Sequence, residues 1–161
     1  MNDHTKTKGQ LIQELQSLRQ QVAELRESKD REQTAETLRG SEALYTSLLE
    51  SLRFNVFRKD LEGRFTYGNA VFCNTVGKPL DQILGKTDFD FSSRELAEKY
   101  RRDDRKVIET GQVFQDVEEH FDKADGSQTY LQTLKAPVRN SKGEVIGTQA
   151  GFWDMTERKQ A

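Results

Sequence analysis

The spacing of apolar side chains divides this chain into a helical first third and a mixed remainder. Leu11, Leu15, Leu18, Val22 and Leu25 recur at alternating steps of four and three, which places them on one seam of a helix. Polar residues fill the gaps, so pairing with a second copy is the economical way to cover the seam. The phase fails at Lys29 and Glu32 after about two and a half heptads, short of a full coiled-coil signature. A solitary amphipathic helix folded onto the rest of the chain is the alternative. Residues 28–33 read as a solvated charged stretch, and Gly40 is expected to break or kink the helix. Leu38, Leu44, Tyr45, Leu48, Leu49 and Leu52 then resume helical spacing with a broader apolar face, suited to docking on a domain.

From Phe54 the period changes. Residues 54–58 and 64–68 are rich in β-formers around the turn Asp60-Leu61-Glu62-Gly63, which predicts a hairpin. Residues 69–76 carry Val71, Phe72, Thr75 and Val76 on one helical face and stop at Gly77-Lys78-Pro79. Leu80 to Leu84 gives one further turn. Ser92, three residues before Glu95, predicts a capping box opening a helix with Leu96, Tyr100, Val107 and Ile108 inward and Gly111 at its end. Strands over 113–121, 127–136 and 144–154 follow, with turns at 123–126 and 140–143. Asp154, three residues before Glu157, predicts a second capping box and a return to helix. This order predicts an α+β fold: a five-stranded antiparallel sheet with helices on one face, preceded by a long N-terminal helix.

Composition narrows the function classes. The 161 residues hold 25 Lys and Arg against 27 Asp and Glu, evenly spread, so no basic region stands ready to neutralise phosphates and no nucleic-acid partner is expected. One Cys excludes an internal disulfide, no apolar run can span a bilayer, and the first ten residues lack a signal-peptide core, so a cytoplasmic location without a membrane span is expected. Gly85-Lys86-Thr87 has the ending of a phosphate-binding loop, but Leu80 stands where that loop needs Gly. The run of alternating charge over 101–106 reads as a solvated helix face. Only His4 and His120 are available, so no metal site and no catalytic constellation can be assembled from His and Cys. A non-catalytic protein is expected, without a kinase phosphoacceptor His or nucleotide box. A small enzyme remains the rival that loss of activity on mutating His120 or Cys73 would support.

Particular words in this order resemble a PAS domain over about residues 42–158. They are Asn55-Val56-Phe57-Arg58-Lys59-Asp60 through Gly63-Arg64-Phe65, then Gly85-Lys86-Thr87-Asp88-Phe89-Asp90 and Asp125-Gly126-Ser127. Last comes Gly143-Glu144-Val145-Ile146-Gly147 running into Asp154-Met155-Thr156-Glu157-Arg158, similar to the Asp-Ile-Thr-Glu-Arg ending of bacterial PAS sensors. The resemblance implies a sensory module that relays a signal through its flanking helices to a histidine kinase or other signalling effector. Haem-binding relatives take an axial His from the helices between the second and third strands, where this chain has none. Flavin-binding relatives use an Asn-Cys-Arg-Phe-Leu-type motif, and here Phe72-Cys73-Asn74 stands in an earlier segment. Haem and a photoactive flavin are therefore not expected, and Cys73 reads as a small core residue.

Alternation along the last strand separates Val145, Gly147, Gln149, Gly151 and Trp153 from Ile146, Thr148, Ala150, Phe152 and Asp154. The second set is expected under the helix bearing Leu44, Leu48 and Leu52; the first, with two glycines around Gln149, reads as a cavity wall. By resemblance to relatives in which a Gln on this strand touches the ligand, Gln149 joins Phe57, Phe72, Val76, Phe89, Tyr100, Val107 and Leu131 as candidate pocket residues. A core filled by these side chains is the alternative to a bound small molecule. Asp154, Thr156, Glu157 and Arg158 are the expected output hinge, and Leu11, Leu15, Leu18, Val22 and Leu25 the expected homodimer seam. The expected organisation is a disordered tail over 1–10, a coiled-coil-like helix over 11–40, a PAS domain over 41–155 and the start of an output helix over 156–161. The effector is expected on another chain or in a further C-terminal part; a ligand-free dimerisation adaptor is the alternative function.

Overall fold

The computed structural model describes residues 7–121 and 125–160, with side chains except those of Glu119, His120, Phe121, Lys159 and Gln160. Most of the expected tail, Lys123 and Ala124 of the expected turn at 123–126, Ala161 and the His120 side chain thus lie outside the described residues. The chain divides into two compact units, Met1–Ser47 and Leu48–Ala161.

Helix α1, Lys8–Ser51, begins before the expected tail ends. Its start is a reciprocal cap. The Thr7 amide donates to Gln10 Oε1 at 2.8 Å, and the Gln10 amide donates to Thr7 Oγ1 at 3.3 Å. The helix also runs unbroken through Gly40, contrary to the sequence expectation. A helical glycine costs only about 1 kcal/mol, and side-chain pairs one turn apart offset it: Gln20 with Glu24 at 3.0 Å, Arg39 with Glu36 at 3.1 Å, and Arg31 with Glu27. Leu11, Leu15, Leu18, Val22 and Leu25 are 45–69% exposed, so the seam is uncovered within its own unit.

The second unit is built on an antiparallel sheet of β1 (Asn55–Asp60), β2 (Phe65–Gly68), β3 (Phe114–Phe121), β4 (Gln128–Arg139) and β5 (Val145–Asp154). Their spatial order is β2-β1-β5-β4-β3. Between β2 and β3 lie α2 (Ala70–Val76), α3 (Leu80–Ile83), a 3-10 turn (Asp88–Asp90) and α4 (Arg94–Thr110); α5 (Thr156–Gln160) follows β5. The order of elements and the hairpins are those the sequence pattern predicts.

Asn69 fixes the entry to α2 and has every side-chain bonding position filled. Its Oδ1 accepts from the amides of Val56 at 3.1 Å and Phe72 at 3.0 Å, while its Nδ2 donates to the carbonyls of Leu49 at 3.2 Å and Phe54 at 3.0 Å. It is wholly buried, so each of those bonds replaces water that cannot reach it. The cap of α4 is Ser93, accepting from the Leu96 amide at 3.4 Å, and not Ser92 as expected. The Ser92 amide is instead engaged by the Asp88 carbonyl at 2.9 Å, which closes the 3-10 turn.

The faces of β5 are the reverse of the sequence expectation in what they meet. Thr148 and Ala150 are buried on the face that packs against α2 and the aromatic core, and Phe152 packs there with them. Gly147 and Gly151 do not open a void. A Cβ on Gly147 would sit 2.1 Å from the Lys59 carbonyl oxygen, and one on Gly151 3.2 Å from the Phe54 ring. Both glycines serve close packing on the other face of the sheet. Within the second unit the expected cover of the inner face also differs: Leu48 is exposed, and Leu49 is the buried leucine of that segment.

Candidate functional site

The inner face of the sheet follows from strand register. Lys59 on β1 is paired with Thr148 and Phe57 with Ala150; across β5, Ala150 is paired with Lys135 and Phe152 with Thr133 on β4. Residues at every second position share a face, so two lysines stand on the same side of the sheet as the aromatic core. Phe57, Phe65, Phe72 and Phe152 form one cluster with ring centroids 4.8–6.4 Å apart, and Phe91 joins through Phe65 at 6.0 Å.

Above this face is a cavity of about 410 Å³. Its apolar wall is made by Phe57, Phe65, Phe72, Phe91 and Phe152 with Val76, Tyr100 and Leu131. Its polar wall includes Lys59, Lys135, Asp88, Glu118, Ser92 and Thr133. The volume lies within the range of about 300–1,000 Å³ usual for small-molecule sites, toward its lower end.

The charged groups form a buried chain across four elements. Lys59 Nζ donates to Asp88 Oδ2 at 2.5 Å and to Asp104 Oδ2 at 2.8 Å. Lys135 Nζ donates to Asp104 Oδ1 at 2.7 Å and to the Tyr100 carbonyl at 3.2 Å. Lys59 and Lys135 are 1% and 2% exposed and Asp104 is 3% exposed, so these are desolvated ions held by one another. Burial pushes the Asp104 carboxyl up, but the flanking ammonium groups of Lys59 and Lys135 overcome this and hold it below the usual carboxylate range. Burial, with the Glu118 charge, pushes the Tyr100 hydroxyl up to about 12, so this wall residue stays neutral. Lys99 holds the lining residue Glu118, donating to it at 2.7 Å and to Asp103 at 3.4 Å.

Of the residues singled out from sequence, Phe57, Phe72, Val76, Tyr100 and Leu131 are brought together around this cavity. Three others are placed elsewhere. Phe89 is half exposed on the 3-10 turn, and Val107 is fully buried in α4 without lining the cavity. Gln149 lies on the opposite face of the sheet, where its Oε1 accepts from Arg58 Nη2 at 3.0 Å. Cys73 packs beside the core cluster; burial and then the nearby Glu50 charge raise its thiol above the ordinary value.

The polar chain is what sequence reasoning missed. Lys59 stands between the predicted strand and the predicted turn, and Asp104 lies in the run of alternating charge that reads as a solvated helix face. The signal available was parity and period: Lys59 stands two residues from Phe57, and Asp104 falls on the helical face of Tyr100 and Val107.

The strand-to-helix hinge is also bonded differently from the expected capping box. Asp154 Oδ1 accepts from the Thr156 amide at 2.8 Å and the Thr156 hydroxyl at 2.5 Å. Thr156 Oγ1 in turn accepts from the Tyr130 amide at 3.0 Å, and the Met155 amide donates to the Tyr130 carbonyl at 2.8 Å. β4 therefore holds the start of α5 beyond the last rung of its ladder with β5. Those bonds to Thr156 keep the Asp154 carboxyl below its usual range.

Comparison with known proteins follows the same architecture. A family model described as the PAS fold matches residues 49–160. The chain is 30% identical over 132 residues to the C4-dicarboxylate transport sensor protein DctS of Rhodobacter capsulatus, covering 81% of this chain and 20% of DctS. It is 28% identical over 116 residues to a diguanylate cyclase of Vibrio cholerae, covering 71% of this chain and 36% of the cyclase. Among solved structures, the dimeric LuxR-type receptor VqmA of Vibrio cholerae superposes with a TM-score of 0.62 at 29% identity, over 72% of this chain and 52% of that one. VqmA has been solved bound to DPO and in a complex with ligand and DNA. The chain thus spans a fifth of DctS and about half of VqmA.

The VqmA complexes overturn the sequence-based exclusion of nucleic acid: a receptor carrying this fold at 29–30% identity binds DNA. Balanced charge on one module says nothing about what the rest of such a polypeptide contacts. Among the described residues no helix is long and apolar enough to cross a membrane. The family match over residues 49–160, with the sheet order and the intervening helices, places this chain in the PAS-fold family.

Proposed function

We propose that this chain is a sensory PAS module that binds a small molecule in the cavity of its second unit and passes the bound state to an effector through α1 and α5. The role is binding and relay, not catalysis. The observation that carries the reading is that the cavity wall and the output hinge share two strands. Phe152 lines the cavity two residues before Asp154, and Leu131 lines it directly across the ladder from Asp154. A guest that shifts either residue pulls on the segment that starts α5.

The relatives support the class of function. DctS is a sensor protein, a second relative is a cyclase, and VqmA is a ligand-bound receptor. The exposed seam of Leu11, Leu15, Leu18, Val22 and Leu25 supports assembly of two copies along α1, with the relay acting on the pair.

The test is a titration of the full chain with a library of small aromatic fragments, followed by amide chemical shifts, with sedimentation of the same samples. Shifts converging on Leu131, Thr133 and Phe152 in a dimeric protein are expected. A dimer in which no fragment reaches these residues would replace sensing with the ligand-free adaptor reading.

A further inference from the structure

Exposure around the cavity marks where it meets solvent. Thr75 and Lys78, at and just past the end of α2, and Asp90 on the 3-10 turn are exposed, while the other lining residues are buried or half-buried. The opening therefore lies between the end of α2 and residues 87–92. Asp88, Asp90, Phe91 and Ser92 of that segment all line the cavity.

The segment is a strap fixed at both ends and held in its middle by one charged contact. Before it, the Gly85 amide donates to the Phe65 carbonyl and the Phe65 amide to the Lys86 carbonyl, both at 2.8 Å, which ties its start to β2. After it, Ser93 caps α4. Within it the bonds are its own: Thr87 donates to the Asp90 carboxylate, and the amides of Phe91 and Ser92 donate to the Asp88 carbonyl. Among the described residues, the one hydrogen bond from the strap to another element is the bond that Asp88 Oδ2 accepts from Lys59 Nζ. Phe91 adds a half-buried ring, 6.0 Å from that of Phe65.

Separating a buried ion pair is ordinarily opposed, because each charge is left without a counterpart. Here both charges are provided for. Lys59 keeps Asp104 at 2.8 Å, and Asp104 belongs to α4, outside the strap. Asp88 has only to follow its exposed neighbours Phe89 and Asp90 into water, and water entering behind it reaches the place it leaves. Resting on the proposed binding role, we propose that residues 87–92 are the gate of the cavity and the Lys59–Asp88 pair its latch. Asp104 is the counterion that holds Lys59 while the gate is open.

The test labels the full chain with dithiodipyridine, an uncharged thiol reagent. Thr133→Cys, in a Cys73→Ala background, puts a thiol inside the cavity; native Cys73, beside the core cluster and outside the cavity lining, reports general loosening. Asp88→Asn keeps the side-chain shape and removes the charge of the latch. It should speed labelling of the cavity thiol about tenfold, the difference between a charge-assisted and a neutral hydrogen bond, and leave Cys73 unchanged. With Asp88 in place, labelling of the cavity thiol should be nearly independent of urea below the unfolding transition, since a moving strap exposes little surface. A cavity-thiol rate that Asp88→Asn leaves unchanged, equal acceleration of both thiols, or a urea slope as steep as that of unfolding would overturn the gate and leave the cavity a binding site. The binding role falls separately, when no fragment reaches Leu131, Thr133 and Phe152.

Discussion

Leu131 and Asp154 face each other across the β4–β5 ladder, one on the cavity wall and the other holding the first turn of α5. The pair joins the place where a guest would press to the place where the chain leaves the sheet. Asp154→Ala should remove both bonds to Thr156 and loosen α5 without disturbing the core. The expected loss of stability is about 1 kcal/mol, the size of a helix cap. Faster hydrogen exchange at Met155 and Thr156, with unchanged exchange in β1, is the readout.

Asp104 is expected to be the most sensitive charged position. Asp104→Ala leaves Lys135 without a carboxylate and Lys59 with Asp88 alone, although both lysines are almost fully buried. Breaking one partner of such a buried set costs about 3–5 kcal/mol. Chemical denaturation of the two proteins measures it.

The same carboxylate sets an acid limit. Its folded pKa lies below the ordinary value, so the folded state binds its proton less readily than the unfolded chain does. Its contribution is therefore complete above the unfolded value of about 4 and falls away as pH drops through the folded value. Stability measured against pH should decline below about 4 in the wild-type chain, and this part of the decline should be missing in Asp104→Asn.

Asn69 offers a test of hydrogen-bond satisfaction in the core. Asn69→Ala orphans the amides of Val56 and Phe72 and the carbonyls of Leu49 and Phe54 together. A loss of at least about 2 kcal/mol is expected. Asn69→Asp keeps both acceptor bonds but sets a carboxylate oxygen against the two carbonyls in a site without water, so at neutral pH it should be destabilised at least as much as Ala. Urea midpoints of the three proteins give the order.

The glycines of β5 separate close packing from open space. Gly147→Ala forces a Cβ to 2.1 Å from backbone oxygen, so β1 and β5 must part; Gly151→Ala meets an aromatic ring at 3.2 Å, which can tilt. The first should lower the thermal midpoint clearly more than the second. Equal effects would show that the β1–β5 pair yields where the backbone approach says it cannot.

Much of this architecture was legible from the sequence because it rests on local pattern. The period change at Phe54, the turn residues and the helix-ending Gly77 and Gly111 specify their elements without tertiary help. What escaped notice depends on which face of a strand is covered. Alternation divides β5 into its two faces, but two glycines beside Gln149 predict open space where the fold has close contact with the Lys59 backbone and the Phe54 ring. Lysine in a strand and aspartate in a charged helix run are ordinarily surface residues, so Lys59, Lys135 and Asp104 gave no sign of burial by type. Only their phase with Phe57, Thr133 and Tyr100 placed them inside, and only the fold shows that their charges meet.

The coupling between cavity and hinge is tested most directly by hydrogen exchange at Met155 and Thr156 as the cavity is filled. A fragment that shifts Thr133 and Phe152 is added to saturation, with Thr133→Trp, in which an indole occupies the same space, as the blocked control. The expected result is a change in exchange at Met155 and Thr156 in the wild-type chain and none on adding the fragment to the blocked variant. Exchange at these two amides that stays constant while the cavity is saturated would contradict the relay.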